Sequence, residues 1–387
     1  MKHSIAEDWR NGGFALYVHW PFCTAKCPYC DFNSHVVSRI SHADWREAYL
    51  REIDRWAEIT SGRVLTSIFF GGGTPSLMQP ETVAAVINAA KSSWHASNNL
   101  EVTLEANPTS VDFERFQGFS DAGVNRLSLG VQALNDADLA KLGRLHSVEE
   151  AMKAWEIANS VFSRTSLDLI YARQHQTAED WDRELATALA LKPSHMSLYQ
   201  LTIEPGTAFG DRHARGRLGG LPSEDLGADL WQITQDQCNA AGLTAYEVSN
   251  HAFKGLESQH NLVYWRYGDY VGIGPGAHGR VTTQQGRIAS VAARQPGDWL
   301  SKVNRQVSAD EISVLTIDEQ ADELLLMGLR LSEGIDLERY TALRGSTLRA
   351  QTLSELSDMG LIWRDGTRMG ATETGRPLLN SLLRELL

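Results

Sequence analysis

Cysteine is scarce in this chain, four residues in 387, yet three of the four fall within one octapeptide, CTAKCPYC. No apolar run approaches the ~18 residues of a membrane span. The polar start MKHSIAEDWRNGG does not read as a signal peptide. Both absences fit a reducing, cytoplasmic setting in which thiols stay free. Basic charge is also short: 36 Lys and Arg against 48 Asp and Glu, a net charge of −12. That balance argues against a general nucleic-acid binder, which needs a basic footprint.

What is present is ordinary for a globular protein, with 42% hydrophobic and 22% charged residues, in a length that suits one large domain plus a smaller one. The eleven tryptophans read as core or interface anchors. From about residue 14 to 205, strand candidates (FALYVHW, TSIFFGG, LEVTLEA, RLSLGVQ, SLDLIYA, HMSLYQL) alternate with amphipathic stretches such as DWREAYLREIDRWAEI and TAEDWDRELATALALK. The alternation predicts parallel strands with right-handed crossovers, a partial (βα)6 barrel with ligands at the carboxyl ends of its strands. Residues 206–305 are Gly-rich and less regular, and are assigned to completing that barrel. Residues 310–387 read as three helices, a short hairpin and a closing helix, a mainly helical, winged-helix-like domain. Without a basic stripe, its expected role is packing or partner contact. The fold class expected is therefore α/β, in segments 1–205, 206–305 and 310–387.

Cys23, Cys27 and Cys30, spaced C-x3-C-x2-C just after an apolar run, can wrap one iron–sulfur cube and leave its fourth iron open to a small molecule. Zinc would want a fourth ligand of the same kind nearby, and Cys238 lies far along the chain. Gly71, Gly72 and Gly73 follow a strand end, where absent side chains would let a ligand's charged amino-acid group meet the backbone. Thr74 adds a hydroxyl there. Glu105 ends a strand and can accept from an ammonium or from ribose hydroxyls. Gln132, Arg144 and Asp168 fall on three successive units. The arginine fork suits a ligand carboxylate, and Asp168, inside the apolar SLDLIY, calls for a ligand hydroxyl or a cation.

YVHWPFCTAKCPYCDF resembles the opening of the radical S-adenosylmethionine superfamily, in the branch of the oxygen-independent coproporphyrinogen III oxidases and the heme chaperones. FFGGGTPS, LEANP, GVNRLSLGVQ, LGRLH, SLDLIY, SLYQLTIEPGT, YEVSN, HNLVYW and GIGPGAH follow in family order, so the resemblance covers nearly the whole chain. It implies a [4Fe–4S] cluster on Cys23, Cys27 and Cys30, with S-adenosyl-L-methionine on the open iron. Tyr17, Tyr29, Gly72, Gly73, Thr74, Glu105, Gln132, Arg144 and Asp168 match positions that line that ligand's pocket. HNLVYW resembles the signature of the heme chaperones and makes His260 a candidate heme-iron ligand. His19 and His278 also belong to motifs, so the axial position stays open among them. Tyr264 and Trp265 would stack on a porphyrin or simply pack.

Two departures shape the expectation. Oxidases of this type carry an extra cysteine where this chain has Phe32, and a longer segment before the cluster. Where the family reads YGLPGQT, this chain has YARQHQT at 171–177, which predicts a reshaped loop after the Asp168 strand. The leading expectation is a heme chaperone that passes heme to an acceptor protein, respiratory or membrane-associated hemoproteins being candidates, with an electron donor if the cluster is redox-active. The alternative is oxidative decarboxylation of coproporphyrinogen III, so enzymatic activity stays open. A third possibility is a radical enzyme for another substrate, whose C-terminal module recognises a macromolecule.

Overall fold

The computed structural model describes residues 5–110 and 112–387; the first four residues of MKHSIAEDWRNGG lie outside the described residues. Strands β1 (Phe14–Trp20), β2 (Val64–Gly72), β3 (His95–Ala106), β4 (Arg126–Gln132), β5 (Thr165–Tyr171) and β6 (His195–Gln200) lie side by side in chain order, each parallel to the next. The helices His42–Ile59, Pro80–Ser93, Val148–Val161 and Ala178–Ala190 in the crossovers follow the apolar periodicity of the sequence.

The Gly-rich region adds strands that periodicity does not show. Strands β7 (Thr244–Ala245) and β8 (Asn250–Ala252) extend the β6 edge antiparallel. Strand β9 (Asp269–Ile273) runs parallel beside β1, and β10 (His278–Thr283), β11 (Gly286–Ala292) and β12 (Asp310–Val314) continue antiparallel from it. The twelve-stranded sheet runs from β12 at one edge to β7 at the other, so the barrel is partial. Asp269, fully buried at the start of β9, is paired with Arg63 and Arg287. That charge network anchors a strand too short to hold its register by apolar contact alone.

Side chains of a strand alternate between faces. Outward, Leu104, Leu127, Leu129, Leu167, Leu169, Met196 and Leu198 are buried in the main apolar core. Inward, the same strands present Thr103, Glu105, Ser128, Asp168, Ser197 and Tyr199 to one cavity. A closed βα barrel fills its interior with branched apolar side chains. Here the interior is polar, which is the pattern of a ligand chamber.

A second core unites the C-terminal helices Ile317–Gly328, Leu337–Arg344 and Ala350–Asp358, the strands Ile335–Asp336, Ile362–Asp365 and Arg368–Ala371, and the closing helix Leu379–Leu386. The three short strands form an antiparallel sheet, giving a winged-helix-like unit. Tyr267, from beyond that segment, is buried in the same core. Among the described residues, no helix is long and apolar enough to cross a membrane.

The YARQHQT loop has a backbone that glycine would occupy freely. Ala172 and His175, standing where the family pattern has glycine, keep φ values of 59° and 61°. This is the left-handed region that glycine occupies freely and other residues enter at a cost of about 1–2 kcal/mol. The loop therefore retains a glycine-type backbone, and Arg173 holds it there. Its buried guanidinium pairs with Glu184 and with Asp138 at 3.0 Å, and donates to the carbonyl of Ile170. Glu184 also accepts from the amide of Leu134 at 2.6 Å. Arg173→Leu should leave a buried carboxylate unpaired and destabilise the chain by about 3 kcal/mol. Adding Glu184→Gln should restore most of that loss, as read from denaturant unfolding of the two variants.

Candidate functional site

The cysteine loop leaves the carboxyl end of β1 and folds back on the end of β2. The amide of Gly73 donates to Trp20 O at 2.7 Å, and that of Thr74 to Phe22 O at 2.8 Å. The amides of His35 and Cys23 close the loop's base on Pro21 O and His35 O. Glycine is needed at the contact: a Cβ on Gly73 would sit 2.7 Å from Phe22 O, and one on Gly72 (φ 109°) would meet the His19 ring at 2.5 Å. The glycine triplet thus seats the cysteine loop, a role that the sequence alone assigns to a ligand's approach; Gly72 and Gly73 also line the cavity.

Cys23, Cys27 and Cys30 all line a chamber of about 870 Å³, and so do Tyr29, Thr74, Glu105, Gln132, Arg144 and Asp168. Two sulfurs already have donors: Thr74 Oγ1 lies 3.3 Å from Cys23 Sγ, and Arg144 Nη1 lies 3.6 Å from Cys27 Sγ. Burial pushes the thiols of Cys23 and Cys30 up, and the Thr74 hydroxyl opposes this at Cys23. Among the described residues, no three His, Cys, Asp or Glu side chains form a site for a single metal ion. A cluster does not need such convergence, because each cysteine binds a different iron. Arg144 Nε and Thr103 Oγ1, both on chamber-lining residues, are buried with no hydrogen-bond partner, so the chamber retains polar capacity for a ligand.

Across the chamber, Glu105 accepts from the amide of Gly72 at 3.2 Å. Burial, and then the neighbouring Asp168, raise its pKa from 4.5 to about 8. Asp168 is satisfied by the protein itself, accepting from Ser128 Oγ at 2.7 Å and Ser166 Oγ at 2.9 Å. The serines give this buried carboxylate partners within the protein, and Asp168 still lines the chamber. Burial still raises its pKa. Arg144 Nη2 donates to Gly130 O at 3.1 Å, which fixes its fork beside Gln132, itself at φ 73°.

Two predicted residues lie elsewhere. Tyr17 points its hydroxyl at His19 Nδ1 (2.9 Å) and is not among the residues lining the chamber. HNLVYW forms the helix Gln259–Trp265, and His260 is buried inside it. Its Nδ1 meets Ser67 Oγ at 2.9 Å, its Nε2 meets Tyr264 OH at 2.7 Å, and its ring stacks on Phe69 at 4.8 Å. Burial lowers its pKa to about 3. In this arrangement both ring nitrogens carry hydrogen bonds within the protein, and His260 is not among the residues lining the chamber. His19 is likewise bonded at both nitrogens, to Tyr17 and to Asn33 O, whereas His278 is exposed at the start of β10. Sequence reasoning missed Arg126, Ser128, His195, Ser197 and Tyr199 on the chamber wall. The alternation of polar and apolar residues in RLSLG and HMSLYQ was their signal.

A radical SAM superfamily model matches residues 17–188, and a HemN C-terminal domain model matches residues 315–378. The chain is 38% identical to the mitochondrial radical S-adenosyl methionine domain-containing protein 1 of Bos taurus, over 96% of this chain and 87% of that protein. It is 36% identical to the heme chaperone HemW of Escherichia coli (strain K12), over 95% of this chain and 97% of the relative. The fold is that of the radical SAM coproporphyrinogen III oxidase HemN from Escherichia coli, with a TM-score of 0.80 at 21% identity, covering 98% of this chain and 92% of that one. With a polar half-open barrel, a three-cysteine loop at its mouth and relatives matched end to end, the chain belongs to the HemW family of the radical S-adenosylmethionine superfamily.

Proposed function

We propose that this chain binds heme and hands it to an acceptor protein, on a core that carries a [4Fe–4S] cluster on Cys23, Cys27 and Cys30 with S-adenosyl-L-methionine beside it. The observation that carries this reading is the meeting, in one chamber, of three free thiols, a guanidinium and a buried carboxyl group. Heme enters from the name borne by relatives in Escherichia coli, Haemophilus influenzae and Bacillus subtilis. When bound, the cluster and its S-adenosyl-L-methionine would supply one-electron chemistry.

The chain's own residues prepare that place. Thr74 directs a donor at Cys23 Sγ, which opposes the rise that burial imposes on that thiol, and Arg144 directs one at Cys27 Sγ. Glu105 holds its proton at neutral pH, so it can donate to a ligand oxygen or release the proton on meeting a cation. Tyr29, Gly72, Gly73, Gln132 and Asp168 complete the wall around the ligand. Tyr17 acts one step removed, by orienting His19. Phe32 lines the chamber with a side chain 57% exposed, where the oxidase pattern places a cysteine. The acceptor protein, and an electron donor if the cluster is redox-active, would meet the chain from solvent.

Cys23→Ala, Cys27→Ala or Cys30→Ala should each remove most of the iron and acid-labile sulfide bound after anaerobic reconstitution, against about four of each in the parent chain. Hemin added to the chain should shift its Soret band, and the loaded chain should transfer heme to an apo-hemoprotein. Anaerobic incubation with coproporphyrinogen III and a reductant should leave the substrate unchanged, and protoporphyrinogen at a useful rate would sink the chaperone reading. Glu105 also predicts a pH effect. Its folded pKa is raised, so the folded chain keeps a proton that the unfolded chain loses, and stability should fall as pH rises from about 4.5 to about 8. Glu105→Gln should flatten that part of the ligand-free stability profile, as measured by denaturant unfolding across the range.

A further inference from the structure

The chamber continues past β6 to a wall supplied by the C-terminal unit, where Arg330 and Arg376 line it together with Trp231, Val248 and Leu379. At about 870 Å³ it lies near the top of the ~300–1,000 Å³ range for one small ligand, so it has room beyond the cysteine loop's own ligand. The guanidinium of Arg376 makes no hydrogen bond or ion pair among the described residues; burial lowers its pKa, and the nearby carboxylates of Glu247 and Glu373 oppose that fall without bonding it. Arg330 lies 4.5 Å from the ring centre of Trp265 and reaches Glu247 only at 3.5 Å. That carboxylate is already held by the amide of Ser249 at 2.8 Å and by Asn250 Nδ2 at 2.6 Å. Arg330 Nε is buried without a partner. Glu204 and Glu224 also line the chamber, and neither pairs with these arginines.

One carboxylate, Glu247, thus serves two cations, and their unused donors beside an apolar wall can take a further anion. We propose that Arg330 and Arg376 form a carboxylate-binding end of the chamber, which takes the two acidic side chains of a dicarboxylate tetrapyrrole while Trp231, Val248 and Leu379 cover its macrocycle. The assignment rests on the heme reading above and places the ligand's carboxylates at the wall that the C-terminal unit supplies. Arginine suits this role because its planar fork can bond both oxygens of a carboxylate.

The test is titration of the full chain with hemin and with hemin dimethyl ester, which lacks both carboxylates. The parent chain should bind hemin and discriminate against the ester. Arg376→Gln should weaken hemin binding about tenfold, and Arg330→Met with Arg376→Gln should weaken it about fiftyfold or more, with ester binding unchanged in both. Arg376→Lys, which keeps the charge, should recover most of the loss seen in Arg376→Gln, and the thermal melts of these two Arg376 variants should match the parent. Equal hemin affinity in the double variant, or a parent chain indifferent to esterification, overturns the proposal and leaves the heme reading standing. A parent chain that does not bind hemin overturns both.

Discussion

The architecture turns on one backbone contact, where the cysteine loop lies against the Gly72–Gly73 turn. Two amides at the end of β2 bond carbonyls of the chain leaving β1, at 2.7 and 2.8 Å, with no room for a Cβ between them. Everything chemical hangs from that contact. It places Thr74 on Cys23, brings Glu105 onto the amide of Gly72, and leaves the three thiols facing the inner surface of the sheet. A side chain at residue 73 would push the loop off its seat, and the cysteines would lose their common orientation. Other loops brace the same segment: the amide of Phe209 donates to Pro28 O at 2.8 Å, and Gly143 packs against the Pro28 ring.

Strand alternation does the second part of the work. Because side chains alternate faces with a period of two, one set of short strands can bury leucines outward and hold carboxyls, serines and a tyrosine inward. The inward groups are mutually dependent. Asp168 is tolerated because Ser128 and Ser166 donate to it, and its charge in turn helps to keep Glu105 protonated. His260 belongs to the same economy of buried polar groups. Its ring is satisfied by Ser67 and Tyr264 and ties the helix Gln259–Trp265 to β2. A histidine so placed secures the barrel wall behind the chamber, whatever ligand the chamber holds.

The legible parts of the chain were those written in local pattern. β1 and β4 match their predicted runs residue for residue, and the crossover helices match within a few residues, because period two and period 3.6 are properties of a short window. The cysteine loop and most of the acids and donors around it were legible for a similar reason, each lying at or near a strand end. What stayed hidden depends on contacts between distant segments. β9 is held at its start by Arg63 and Arg287, which no window around DYVGI contains. HNLVYW looked like a free motif because its partner Ser67 lies almost two hundred positions earlier.

The YARQHQT loop shows how one residue can support the backbone of its neighbours. Two glycines are missing, yet the backbone keeps positive φ at both places. The strain is carried because Arg173, the residue between them, gains buried partners in Glu184 and Asp138. The same logic applies to the chamber. Its cysteine end could be inferred from a single octapeptide, whereas its arginine end exists only because residues 330 and 376 fold back onto β8's neighbours. A ligand that spans the two would couple the barrel to the C-terminal unit, and so give that unit a part in binding that its sequence, lacking any basic stripe, does not display.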